Sequence, residues 1–418
     1  MKYHIKKRNQ CRLCYKKNLK KILHFDNIPF FDEIVTRDKL GEEFSYPMEL
    51  YFCNDCASVQ TQHDVNITDY YQDYQYVASK SKFMTNYMNK LVDYCKDSLK
   101  IKENDNVMEI GSADGYLLSL FQRLGVNVLG FEAAKNLCGL AKKNGVNVVN
   151  ALFDKSSFHL VPKDFKKVQL LILLHTFDHL YDPVPFLETV KDILCPKRGV
   201  LLLEVHDLQD IYDKKETALF GHEHATYLHF NSMQRFLRSN GFRIVDFNFL
   251  DKSMIRGSSM LIAATLAQSD VPMIKDISSL SNEKLDQLNT FKNFQTDVED
   301  SFAGLRSYIE EGTKHGKRFV GYGGWGRGVT TLAMAKLKNT HLSFVADANL
   351  KLESCFTPST GFEIRGPMAI NISDVDEVIV FNYAYINEIK QALANFIEQG
   401  GKVTSVLDIL CRAAQNAY

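Results

Sequence analysis

The chain has 418 residues, so two or three domains are expected. Lys+Arg and Asp+Glu each number 50, which leaves no net field to favour nucleic acid or an acidic membrane surface. Apolar residues make up 45%, as in ordinary globular chains, and no run of about 18 of them suggests a membrane span.

The first ten residues are basic and lack an apolar stretch, so they do not read as a signal peptide. Of the nine cysteines, Cys95, Cys138, Cys195, Cys355 and Cys411 are scattered through apolar or mixed contexts. They read as reduced thiols, and a cytoplasmic location is expected. The other four form Cys11-Arg12-Leu13-Cys14 and Cys53-Asn54-Asp55-Cys56. Two such knuckles present four thiolates that close a tetrahedron around Zn2+ and leave no open position, so the metal is expected to be structural. A zinc-stapled module over residues 1–70 is the natural reading, with a strand leading through Met48–Phe52 into the second knuckle.

Residues 71–265 read as the next domain. Val107-Met108-Glu109-Ile110-Gly111-Ser112-Ala113-Asp114-Gly115 is an apolar strand, an acid and a glycine turn into a helix. Gly111 and Gly115 let backbone approach a ligand closely. The acid at Glu109 suits a ligand carrying a cation or hydroxyls better than a pyrophosphate. A second strand, Val128–Phe131, ends at Glu132, placed to bind ribose hydroxyls. A third follows at 145–150, and Ala151-Leu152-Phe153 offers an apolar lip for an adenine edge or simple core packing. The fourth, Val168–Leu174, ends at His175-Thr176-Phe177-Asp178-His179, and the fifth, Gly199–Val205, leads to His206. Strands alternating with helical segments imply an α/β doubly wound, Rossmann-like parallel sheet with ligands at its carboxyl ends.

Phe220-Gly221-His222-Glu223-His224-Ala225-Thr226-Tyr227 concentrates imidazoles, a carboxylate and a phenol. A zincin needs His-Glu-x-x-His, and the His-x-His spacing fails that test. Residues 266–310 read as a polar helical connector, with Asn282–Leu288 as a solvated face. Residues 311–418 then open a second Rossmann-like unit. Arg318–Tyr322 runs into Gly323-Gly324-Trp325-Gly326-Arg327, and Leu342–Ala346 ends at Asp347. This fingerprint admits three readings: NAD, a packing turn, or a diphosphate at the helix N-terminus.

Glu109-x-Gly111-x-x-x-Gly115 with Glu132 resembles the S-adenosylmethionine (SAM) site of class I methyltransferases. With the cysteine knuckles before it and Glu223-His224 after it, the whole chain resembles the three-domain sugar C-methyltransferases. That resemblance implies a nucleotide-diphosphate keto-deoxysugar substrate, methylated at C-3 of a 4-keto sugar through an enolate. It implies SAM and structural zinc as cofactors. Tyr74–Ser81 is similar to the segment that closes over SAM, which places Tyr76, Ser79 and Ser81 at the site; His175, Ala151 and Leu152 join the cofactor set. His179, Glu223 and His224 match the active-site histidine, acid and base of the family. The family's tyrosine two residues before the glutamate is replaced by Gly221, so His222 and Tyr227 are rivals for its role. The resemblance favours the diphosphate reading of the C-terminal motif and assigns Gly323, Trp325, Gly326, Arg327 and Asn382 to the substrate. A monomer without nucleic-acid or membrane partners is expected. An O- or N-methyltransferase and an NAD-dependent sugar-nucleotide oxidoreductase are the alternatives.

Overall fold

The computed structural model describes residues 3–30, 35–65, 74 and 77–416. Its centre is a seven-stranded sheet. The strands run in the order Phe242–Phe247, Ser259–Leu266, Val200–His206, Leu170–Leu174, Asn106–Ile110, Asn127–Phe131 and Val148–Val149. The five glycine-motif strands are mutually parallel; Ser259–Leu266 runs antiparallel to both of its neighbours. The strands are continuous apolar runs because both faces are covered. Side chains alternate along each strand. Leu171 and Leu173 therefore pack with Phe186, Leu187, Val190 and Ile193 on one face. Leu170 and Ile172 pack with Leu91, Leu118 and Phe121 on the other. This is the class I methyltransferase architecture expected for the central domain.

The N-terminal module is less self-contained than its sequence suggests. Its sheet takes Leu19–Pro29, Ser45–Cys53 and Val59–Thr61, and its fourth strand is Thr226–Tyr227, from the histidine loop of the central domain. Arg12 is fully buried at this seam. Its guanidinium donates to Asp64, to the carbonyls of Thr61 and His63, and to the carbonyl of Tyr181 in the central domain.

The C-terminal unit is a five-stranded parallel sheet ordered Ile364–Arg365, Val345–Ala346, Phe319–Tyr322, Glu377–Val380, Lys402–Ser405. The connector expectation needs correction. Glu283–Asp286 is a short 3-10 turn with Leu285 buried, and the long helix is Phe294–Lys314, which runs past residue 310. Phe294, Val298, Phe302, Leu305 and Ile309 recur at helical spacing, and burying that stripe makes the helix part of the C-terminal core. Among the described residues no helix is long and apolar enough to cross a membrane.

Candidate active site

A cavity of about 1520 Å³ opens where the three parts meet, at the carboxyl ends of the central strands. Glu109, Gly111 and Glu132 line one end, His179, Glu223 and His224 the floor, and Trp325, Gly326, Arg327 and Asn382 the C-terminal wall.

At the first end the backbone chemistry follows from the glycine turn. Gly111 has φ +74°, and a Cβ there would lie 2.4 Å from Thr176 Oγ1, so only glycine fits. Gly115 behaves differently. It does not line the cavity, and its absent Cβ makes room for Ala141 and Val146, so it is a packing glycine rather than a cofactor contact. Glu132 accepts hydrogen bonds from the Ala113 and Ala134 amides, which fix its carboxylate at the strand end. Glu109 is 3% exposed, and its Oε2 has no hydrogen-bond partner among the described residues. Burial, then the charges of Asp114 and Glu132, push its carboxyl well above the usual range. An orphaned acid beside a close-approach turn fits a ligand bearing positive charge and hydroxyls. Ala151 and Leu152 form the lip, where Leu152 is 52% exposed.

Three other expected cofactor residues have partners within the protein. Ser79 lies off the cavity, its amide donating to Asp114. Ser81 lines the cavity, where it caps the helix Lys82–Asp97 and donates to Glu388 of the C-terminal unit. His175 lines the cavity, but its Nε2 lies 3.0 Å from Glu204 and 3.1 Å from the Ser259 hydroxyl. Tyr76 falls outside the described residues.

The floor is built by the loop between Phe220 and Thr226. Pairing of Thr226 with Gln60 on one side and the Ala225 amide bond to the Asp178 carbonyl on the other pin that loop. His224 Nδ1 lies 2.8 Å from the Leu219 carbonyl. A carbonyl can only accept, so Nδ1 carries the proton and Nε2 is the basic nitrogen. Burial holds the His224 imidazole down to about 3, so it is neutral near pH 7. The ring sits 4.8 Å from that of His179 and 4.5 Å from that of His206. Burial also depresses His179 and His206, each well below the usual histidine value.

Two rivals for the missing phenol do not reach the cavity. His222 faces the N-terminal module: its Nδ1 is 3.0 Å from His63 Nε2, and its Nε2 is 2.9 Å from the Ile28 carbonyl. Tyr227 is fully buried, and its hydroxyl accepts from the Gly221 amide. Both hold the loop in place. On the C-terminal wall, Gly323 lies behind the lining, where a Cβ would meet Asn382. Arg327 reaches back to Glu216 of the central domain at 3.2 Å. Sequence reasoning missed Arg256, which no motif marks and which lines the cavity. It noticed the strand-end residues Asp347 and His206 without assigning them; both line the cavity too.

Far along the N-terminal module, Cys11, Cys14, Cys53 and Cys56 bring their sulfurs within 4.8 Å of one another. Cys11–Cys56 and Cys14–Cys53 are each 3.6 Å apart, close to the roughly 3.8 Å edge of a tetrahedron with Zn–S bonds of about 2.3 Å. Gln60 Nε2 and the Leu13 amide donate to Cys11 Sγ, as suits a thiolate. The donor set fits zinc, and with four sulfurs its role is structural.

Three family models match the chain in tandem. Residues 11–71 match "Putative zinc binding domain", residues 81–246 a methyltransferase domain, and residues 254–407 the C-methyltransferase C-terminal domain. The C-methyltransferase NovU of Streptomyces niveus is 26% identical over 401 residues, which span 94% of each chain. The chain belongs to the C-methyltransferase family. SAM and zinc are the cofactors of this C-methyltransferase, and the O-methyl, N-methyl and NAD alternatives give way to carbon methylation. Among solved structures, a SAM-dependent methyltransferase from Archaeoglobus fulgidus is 16% identical, covering 44% of this chain and 93% of its own, with a TM-score of 0.35. Magnesium protoporphyrin IX methyltransferase from Synechocystis is 13% identical, covering 44% and 79%, with a TM-score of 0.32.

Proposed function

We propose that this C-methyltransferase acts on a nucleotide-linked keto-deoxysugar, methylating the carbon beside the ketone (C-3 of a 4-keto sugar) through an enolate. The observation that carries this reading is the geometry of His224: its ring lies on the floor of the shared cavity, and Nδ1 is 2.8 Å from the Leu219 carbonyl, which makes Nε2 the nitrogen that accepts a proton. A carbon acid needs such a base; a hydroxyl or amine acceptor needs it far less. Bound SAM supplies the methyl group as an electrophilic sulfonium.

The chain's own residues divide the remaining work. Glu109 and Glu132 hold the cofactor's positive and hydroxyl groups. His224 takes the proton from carbon, and the electron pair moves onto the ketone oxygen. His179 faces the same space and is placed to donate a hydrogen bond where that charge develops. Glu223 orients the sugar. The C-terminal wall of Trp325, Gly326 and Arg327, at the N-terminus of the helix Arg327–Met334, supports the diphosphate reading. The floor and this wall border one cavity, so closure fixes the carbon relative to base and donor.

The test is hydrogen exchange in D2O. The protein with a nucleotide-linked 4-keto-6-deoxysugar, and no methyl donor, should wash deuterium into the carbon beside the ketone. His224→Ala should lose this exchange and methyl transfer together, by about 100- to 10,000-fold. Exchange that persists in His224→Ala would assign the base elsewhere. Methyl transfer without any exchange in the native protein would end the enolate reading.

A further inference from the structure

Beside the base lies a cluster that methyl transfer leaves unused. His175 follows the strand Leu170–Leu174, Asp178 sits in the turn Phe177–His179, and His206 ends the strand Val200–His206. The two strands are parallel neighbours, so their carboxyl ends bring the three residues together. One donor atom from each lies within 4.8 Å of the others. His206 Nδ1 is 2.5 Å from Asp178 Oδ2, and His175 Nδ1 is 4.0 Å from that same oxygen. His175 and His206 line the cavity, with Asp178 behind them.

Two buried atoms here lack hydrogen-bond partners among the described residues: His206 Nδ1 and Glu204 Oε1. His206 is close to Asp178 without being aligned to donate to it. Glu204 is fully buried, and Oε1 lies 3.0 Å from His175 Nε2. Polar atoms buried in this way normally find partners. Arg256 and Arg327 are the cations nearest the cluster, and Glu216 pairs with Arg327.

We propose that His175, Asp178 and His206 bind a divalent first-row transition-metal ion, separate from the zinc of the four cysteines and open to the cavity. Two imidazoles and one carboxylate are the borderline donor set that takes Zn2+, Co2+ or Fe2+ and leaves further positions for other ligands. Metal–donor distances of about 2.0–2.2 Å put donors roughly 3–4 Å apart, so the His206–Asp178 pair must open and the wider separations close, each by about 1 Å. On the keto-sugar reading, the ion is placed to polarise the ketone oxygen that gains charge when His224 takes the carbon proton. The binding site itself does not depend on that reading.

The experiment uses the full chain and Co2+ alone. The protein is purified without chelator, loaded with Co2+, desalted and analysed for metals. The native protein should carry one zinc and one added cobalt per chain, with visible d–d bands and no thiolate-to-cobalt charge transfer. His206→Ala and Asp178→Asn should each keep the zinc and lose the cobalt. Retained zinc certifies the fold of each variant; where a variant loses it, the milder His175→Gln replaces that variant. No second metal in the native protein would overturn the proposal. So would cobalt bound equally by native protein and zinc-retaining variants. Because no sugar is used, failure of the keto-sugar reading leaves this result untouched, and the reverse holds.

Discussion

Glu109→Gln separates a ligand-binding role from a packing role, because the two predict opposite effects. Glu109 is buried, its Oε2 has no partner among the described residues, and Asp114 and Glu132 repel its charge. Without SAM this carboxylate is a burden on the fold. Its folded pKa is raised above the unfolded value of about 4.3, so SAM-free stability falls as pH rises from that value through the folded pKa. Gln brings no charge to desolvate. At pH 7.5 the SAM-free variant should therefore gain about 1–3 kcal/mol, the usual penalty of an unsatisfied buried group, or a few degrees in the melting transition of the central domain. Below pH 4 the difference should close. SAM binding should move the other way. Losing a charge-assisted contact costs about 1.5–3 kcal/mol, or roughly a 10- to 150-fold weaker Kd. Thermal melts across pH and titration calorimetry with SAM measure both. A variant that melts lower at pH 7.5 and binds SAM unchanged would refute the reasoning and leave Glu109 as a packing residue.

Other outcomes follow from the same geometry. Gly111→Ala puts a Cβ 2.4 Å from Thr176 Oγ1 and forces a positive φ on a residue with a side chain. SAM affinity should drop at least tenfold, and Thr176→Ala in the same chain should restore only part of it, since the positive φ retains about 1–2 kcal/mol; full recovery would contradict the argument. Cys53→Ser should release zinc and destabilise the N-terminal module, checked by metal analysis and proteolysis. Arg12→Met leaves Asp64 with Arg8 as its remaining arginine partner and takes the donor from three carbonyls at the seam, so stability should fall by about 1–3 kcal/mol by denaturant melt. His222→Phe should slow methyl transfer chiefly through loop disorder, with SAM affinity unchanged; a clean loss of proton exchange in a fully folded variant would return His222 to the active site.

Local chemistry was the legible part of the sequence. Glu109, Gly111 and Glu132 mark the proposed donor site in the sequence, because a close-approach turn and strand-end acids leave few substitutes, and all three line the cavity. The four cysteines announced zinc through spacing alone. Legibility ended where the third dimension chooses between equivalent residues. His222 and His224 flank the same glutamate, yet only His224 meets the cavity, because the pairing of Thr226 with Gln60 turns His222 toward His63. Gly111 and Gly115 look alike in sequence, but one borders the cavity and the other admits Ala141. Arg256 has no periodicity or motif and becomes visible only through the fold. The connector reading of residues 266–310 does not single out the helix Phe294–Lys314, because charged and polar residues dominate its composition.

The central claim is methyl transfer to carbon. Incubation with SAM carrying a 13C methyl group and a nucleotide-linked 4-keto-6-deoxysugar enriched in its ring carbons tests it directly. The account predicts a product methyl signal split by one-bond coupling to the ring carbon beside the ketone. A methyl signal without that coupling, at the shift of a methyl ether or methylamine, would contradict it.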